Sequence, residues 1–350
     1  MQFHTFADGG CRSYLIGCSE TGAAAVIDPA LGQVERTAGV LAREGLSLRY
    51  VIETHTHADH FSGARLLRER FGAPIVMHRE GGASDVDLRV DDGHQLVLGG
   101  LRLRFLHTPG HTRDSLCVLL ADMAFTGDTL LIGGSGRTDL PTGDPEALYD
   151  SLFGKLLTLP GDTRVFPAHD YLDKGHTTIA AERASNRRLQ ASERGEFVAM
   201  MRSLDLAMPT HLTEALRTNV SGGTTVRELL DRASAAIPFM AMDQLSARLE
   251  ARRNDFIVLD VREREAWSRG RIPGARHLAR GQLELKIDEH FPDPDVEILT
   301  VCEFGKISTL AAATLRTLGF RRAVALDGGM KAWREGGYPL DEGNDPALMI

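Results

Sequence analysis

The sequence predicts an α/β protein in two domains, and three observations lead there. At 350 residues the chain exceeds the roughly 150 residues typical of one domain. Short apolar runs bounded by Gly, Pro or Asp recur along it between stretches of helical spacing, the pattern of strands and helices packed in layers. A break at Ser221–Gly222–Gly223 then parts two halves with no repeat between them. A composition of 43% hydrophobic and 25% charged residues is that of a globular protein, and a net charge of −8 argues against a nucleic-acid partner. No apolar run approaches the roughly 20 residues that span a bilayer. The start, "MQFHTFADGGCRSYLIGC", shows no charged region followed by an apolar one. Four cysteines make no disulfide framework, so a cytoplasmic protein with reduced thiols is expected.

In the first domain, residues 1–223, the runs "RSYLIGC", "AAAVIDP", "LRYVIET", "APIVMH", "HQLVLGG", "LRLRFLHT", "SLCVLLA" and "TRVFPAHD" read as strands. Gln33–Glu44, Ser62–Phe71 and Pro145–Leu157 carry helical spacing. Beyond the break, Val226, Leu229, Leu230, Ala233 and Ile237 share one helical face and predict a linker helix over 224–238. From 239 to 350 the strands "DFIVLDV", "EILTVC" and "RAVALDG" alternate with the helices "MDQLSARLEA", "GQLELKIDEHF", "KISTLAAATLRTLGF" and "GMKAWREGG". Such alternation predicts a parallel sheet in a small α/β domain.

Chemistry concentrates at strand ends. His55, His57, Asp59 and His60 form H-x-H-x-D-H directly after "LRYVI", and His111 in "TPGHT", Asp128 in "FTGDTL" and His169 in "PAHDY" follow. Imidazoles with carboxylates suit zinc or iron rather than magnesium or calcium. The spacing points to one or two metal ions and leaves their number open. His4, His78, His94, His107, His176, His211, His277 and His290 are read as ordinary polar residues satisfied by hydrogen bonds, and Cys11 and Cys117 as core.

H-x-H-x-D-H with downstream His, Asp and His resembles the metallo-β-lactamase superfamily, which implies an αββα sandwich with the metal site at its edge. In hydrolase members such as glyoxalase II, the motif holds two metals that share the later aspartate. The stretches "ETHTHADHFSGARLLRERFG", "TPGHTRDSLCVLL", "AFTGDTLLIGGSGRTDL", "LPGDTRVFPAHDY" and "PTHLTEALRTNVSGG" resemble the persulfide dioxygenase branch instead. That resemblance implies one Fe(II) per chain on His55, His111 and Asp128, a facial triad with positions left open for substrate and dioxygen. His57, Asp59, His60 and His169 would then orient those ligands by hydrogen bonding. It also implies Arg137, for a glutathione carboxylate or for support of the site; Tyr171, beside His169, is a candidate for a hydrogen bond to substrate or an iron-bound ligand. Relatives of this branch are commonly dimers, so a homodimer is the expectation by resemblance.

In the second domain, Cys302 ends an apolar strand and precedes a helix. Backbone N–H groups of the intervening loop, the helix N-terminus and Lys306 would all favour a thiolate there. A thiolate so placed can attack a sulfane sulfur and hold it as a cysteine persulfide. "FIVLDVREREAWSRGRIPGARHL", the cysteine loop and "ALDGGMKAWREGGYPL" resemble, in that order, the rhodanese family. The resemblance implies sulfur transfer at a six-residue loop, with Gly305, Lys306 and Ser308 contacting the substrate. The loop departs from the common C-R-x-G-x-R-S: Glu303 and Ile307 stand where basic residues are frequent, which weakens thiosulfate as preferred donor.

Together the resemblances imply a fusion. One site would convert glutathione persulfide, O2 and water to sulfite and glutathione. The other would move sulfane sulfur among thiosulfate, sulfite and glutathione through Cys302, with tethering raising local concentration. The alternative is a dizinc glyoxalase II-type thioester hydrolase whose rhodanese domain only senses sulfur or docks.

Overall fold

The computed structural model describes every residue except 210, 211, 254, 344–347, 349 and 350, so His211 lies outside the described residues. The chain divides into two compact units, Met1–Gly223 and Thr224–Ile350. No helix among the described residues is long and apolar enough to cross a membrane.

The first unit is an αββα sandwich. One sheet runs β1 (Gln2–Asp8), β2 (Cys11–Gly17), β3 (Ala23–Ile27), β4 (Ser47–Ile52), β5 (Ile75–His78) and β6 (Leu88–Val90), in that order. The chain then forms β7 (Gln95–Leu98), β8 (Leu101–His107), β9 (Leu116–Leu120), β10 (Met123–Gly127), a small ribbon of β11 (Leu130–Leu131) and β12 (Gly134–Ser135), β13 (Arg164–Pro167) and β14 (Thr177–Thr178). The second sheet has the order β14-β13-β10-β9-β8-β7.

Side chains alternate faces along a strand, so a strand covered on both sides must be apolar at every position. In β2, Tyr14 and Ile16 join Phe105, Val118, Phe125 and Phe166 between the sheets. Leu15, between them in sequence, faces Leu41 and Leu67 of the helices Val34–Arg43 and Ala64–Phe71. On the far side of the second sheet, Cys117 and Val165 pack on Leu148, Leu152, Ile179 and Phe197. That double burial is why "YLIG" and "AAAVI" read as continuous apolar runs. The sandwich expected by resemblance is therefore present. The structure adds β1, β6 and the helices Ile179–Ser185, Arg194–Arg202 and Leu212–Ser221, which the sequence reading does not contain.

The second unit has a five-stranded sheet of β15 (Phe239–Met240), β16 (Phe256–Asp260), β17 (Arg276–His277), β18 (Glu297–Val301) and β19 (Val324–Leu326). Its order is β15-β19-β18-β16-β17 and every pairing is parallel, as the alternation predicts. Apolar clusters line both faces, one with Leu259, Ile298 and Leu315, the other with Val258, Leu299 and Trp333. The helix Val226–Ala236, expected as a linker, begins with a capping box at Thr225 and packs on the helix Lys306–Thr317 of this unit.

Candidate functional site

The strand ends gather the donors of the first unit. Asp28 follows β3, the H-x-H-x-D-H segment follows β4, His111 lies between β8 and β9, Asp128 follows β10 and His169 follows β13. They fall into three groups, each with one donor atom per residue within 4.8 Å of the others: His55–His111–Asp128, Cys11–Asp59–His60–His169, and Asp28–Glu53–His57.

In the first group every candidate donor is held from behind. The Thr54 hydroxyl donates to Asp28 Oδ2 at 2.8 Å, so at 2.9 Å it accepts from His55 Nδ1–H. His111 Nδ1–H donates to the Arg137 carbonyl at 2.8 Å. Asp128 Oδ1 accepts from His169 Nδ1–H at 2.7 Å. These bonds fix the tautomers and leave His55 Nε2, His111 Nε2 and Asp128 Oδ2 as free donors; the last two stand 3.6 Å apart. Two imidazoles and a carboxylate, all buried, are a donor set that fits a divalent transition metal. Burial, with His57 nearby, holds His55 well below the ordinary imidazole pKa, so its lone pair is available. A Cβ on Gly136 would come within 2.8 Å of His111 Cγ, so glycine there lets the loop close on His111.

The second group is a chain of charges. His169 sits between two carboxylates, with Nε2 2.5 Å from Asp59 and Nδ1 on Asp128. Burial disfavours its charge, but Asp128 and Asp59 outweigh that and raise its pKa well above normal. Burial likewise opposes ionisation of Asp128, and His169 overcomes it, keeping the carboxylate ionised. Asp59 also meets His60 Nδ1 at 3.3 Å, while His60 Nε2 is buried without a hydrogen-bond partner.

Cys11 belongs here rather than in the core. Its Sγ is 3.4 Å from His169 Nε2 and 3.7 Å from His60 Nδ1. Burial would raise the thiol, yet those two imidazoles bring its pKa down to about 7. Cys117 is a core residue as read, with burial pushing its thiol up to about 12. All four thiols are free.

The third group was not legible in the sequence. His57 is 1% exposed, with Nε2 3.2 Å from Asp28 and 3.0 Å from Glu53; Glu53 in turn takes the Ser62 hydroxyl. Asn219, also missed, donates to the carbonyls of His57 and His60 at 2.8 and 2.9 Å and accepts from Ser62 N, pinning the motif loop. Its only sequence signal is its place in "RTNVSGG".

A cavity of about 600 Å³ opens on Asp59, His111, Asp128 and His169, with Leu131 and Ile132 as apolar wall. Arg137 lines it, but its guanidinium holds Asp139 through two 2.6 Å bonds and the carbonyls of Ala207 and Leu206 at 2.7 and 3.2 Å. Tyr171 is 75% exposed, its ring stacked 5.6 Å from that of His169. Arg188, absent from the sequence reading, lines the same cavity and is anchored on Ser135 and Gly136.

In the second unit residues 302–305 join β18 to the helix Lys306–Thr317. The Ser308 N–H points at Cys302 Sγ at 3.2 Å, while the Ser308 hydroxyl bonds the Gly305 carbonyl. Gly305 lies at φ +82°, and Gly329 at φ +65° packs so closely that a Cβ would sit 2.5 Å from the Cys302 carbonyl. Both turns demand glycine. Lys306 is exposed, and Glu303 is paired with Arg262 at 3.2 Å and with Arg334.

Residues 7–169 match the metallo-beta-lactamase superfamily and residues 241–336 the rhodanese-like domain. Human mitochondrial persulfide dioxygenase ETHE1 is 41% identical over 214 residues, spanning 60% of this chain and 84% of that protein. The crystal structure of ETHE1 from Myxococcus xanthus, 41% identical, covers 64% of this chain and 100% of that one with a TM-score of 0.62. A metallo-beta-lactamase structure from Staphylococcus aureus is 24% identical, covers 93% of this chain and 98% of that one, and has a TM-score of 0.61, a likeness of fold.

Proposed function

Because the chain belongs to the metallo-β-lactamase superfamily, among relatives of persulfide dioxygenase ETHE1, and carries a rhodanese-like domain, we propose that it oxidises glutathione persulfide. The reaction is glutathione persulfide, O2 and water to sulfite and glutathione, in residues 1–223. Residues 239–350, joined through 224–238, move sulfane sulfur between thiosulfate or sulfite and glutathione through Cys302. A cytoplasmic setting and a homodimer complete the reading.

The observation that carries it is the division of the seven motif donors. His55, His111 and Asp128 are each braced from behind with one free atom turned to a common point, whereas His57 and His169 are each paired with two carboxylates and Asp59 is paired with His60 and His169. One Fe(II) held by those three would supply, when bound, the one-electron chemistry that O2 requires and zinc lacks. The protein's own part is positional. Thr54 and the Arg137 carbonyl keep the Nε2 lone pairs presented, His169 fixes the Asp128 carboxylate, and Leu131 and Ile132 keep water from the reacting sulfur. Arg137 supports the site by holding the 206–207 loop, and Tyr171 at the rim is placed to meet substrate.

For sulfur transfer, the Ser308 N–H and the backbone around Gly305 and Lys306 would stabilise the Cys302 thiolate and the persulfide formed on it. The dizinc hydrolase is not favoured, because both ring nitrogens of His169 are taken by carboxylates. Metal analysis of the purified chain tests the reading: about one iron per chain is expected from a facial triad, and two zincs would overturn it.

A further inference from the structure

The side chain next to the sulfur nucleophile is an acid held between two arginines. Glu303 pairs with Arg262 at 3.2 Å and with Arg334. Arg262 is buried and already matched to Asp260 through bonds of 2.7 to 3.1 Å. Arg334 rides on the helix Gly329–Glu335, whose first turn donates to the Cys302 and Glu303 carbonyls at 2.8 and 2.9 Å. The guanidinium nearest the loop is therefore neutralised, and its fork is filled by an internal carboxylate. What the loop shows to solvent is largely apolar: Phe304 is 65% and Ile307 51% exposed, with Lys306 the one basic side chain from 302 to 308.

We propose that Glu303 is a specificity residue for the sulfur donor: by occupying Arg334 it denies a guanidinium to the thiosulfate dianion, and leaves Cys302 to be loaded by organic persulfides. The proposal rests on the sulfur-transfer reading of Cys302. In the loading step the Cys302 thiolate attacks the outer sulfur of R–S–SH. A Cys302 S–S bond forms, the donor's S–S bond breaks, and R–S⁻ leaves with the electron pair. Thiosulfate would place a dianion's charge on its outer sulfur and on oxygens two bonds from it, beside the Glu303 carboxylate. In an organic persulfide the remaining charges lie several bonds away.

The test is sulfur loading of Cys302 in the full chain without oxygen, which withholds the co-substrate of the N-terminal reaction. Loading of the Cys302 peptide is followed by mass against thiosulfate and against glutathione persulfide. Glu303→Gln should lower the half-saturating thiosulfate concentration on the order of tenfold, and that for glutathione persulfide by less than about twofold. Added salt should erase the gain, because the freed guanidinium acts through charge. Arg334→Gln, read independently, should raise the thiosulfate value, since Glu303 then stands less neutralised. Equal changes for both donors, or none, would make Glu303 a mere brace of the loop and overturn the proposal alone. No sulfur on Cys302 of the unaltered chain from either donor would remove the sulfur-transfer reading and the proposal with it.

Discussion

The two candidate sites are built on opposite plans. In the first unit, chemistry is assembled from side chains that arrive from five strand ends, and its order depends on buried charge. His57 lies between two carboxylates, and His169 between two more. In the second unit one short segment, 302–308, supplies the candidate nucleophile Cys302, the N–H facing it and the tight turn. The first plan places several donors at once but couples them, so that altering one unsettles the next. The second is nearly self-contained and varies its selectivity by single residues at the rim. A metal needs converging donors; a thiolate needs only backbone dipoles.

The sharpest way to break that contrast is to disable each site alone. His55→Ala should lower metal content and persulfide-dependent oxygen uptake by at least about 100-fold, since a lost ligand exceeds the loss of its support. Sulfur loading of Cys302 should remain. Cys302→Ser should do the reverse, and loss of both activities in either variant would show that the sites are not separate. Coupling within the first site is probed next. His169→Gln leaves Asp128 and Asp59 without their shared partner, and should weaken metal binding by about 10- to 100-fold, read by competition with a chelator.

Smaller effects test the support of the motif loop. Asn219→Ala removes two donors and an acceptor from it and should destabilise the first unit by about 1–3 kcal/mol in a denaturant titration. The buried pairing of His57 gives a pH signature. Burial opposes its charge, but Asp28 and Glu53 outweigh burial and raise its pKa well above the ordinary value. Its contribution is then fully present below about pH 6.5 and lost as pH rises through the folded value, at most about 1.4 kcal/mol per pH unit. Metal-stripped protein should lose stability on that alkaline side, and His57→Gln should flatten the slope.

Legibility in the sequence follows the same division. The cysteine loop could be read almost whole, because its parts lie within seven residues and the turn requires Gly305. The three histidines and the aspartate of 55–60 could be found, but their separation into different clusters could not. The partners that decide it are remote: Asp28 lies 29 positions from His57, and Asn219 lies 162. Cys11 was read as core because it begins an apolar strand, yet a first strand position opens toward the next strand end, where His169 waits. Most central strands are plain since both their faces are buried, although β10 (Met123–Gly127) is not among the runs legible as strands. The helices Ile179–Ser185 and Arg194–Arg202 are not plain, for helices this short owe their stability to packing, such as that of Phe197 under Tyr149 and Phe153.

The proposed function has the three braced donors hold iron for persulfide oxidation. Oxygen consumption by iron-loaded protein given glutathione persulfide tests it most directly. Uptake that requires the persulfide is expected, with one sulfite formed for each O2 consumed and none from zinc-loaded protein. Iron-loaded protein that consumes no oxygen with glutathione persulfide would contradict it.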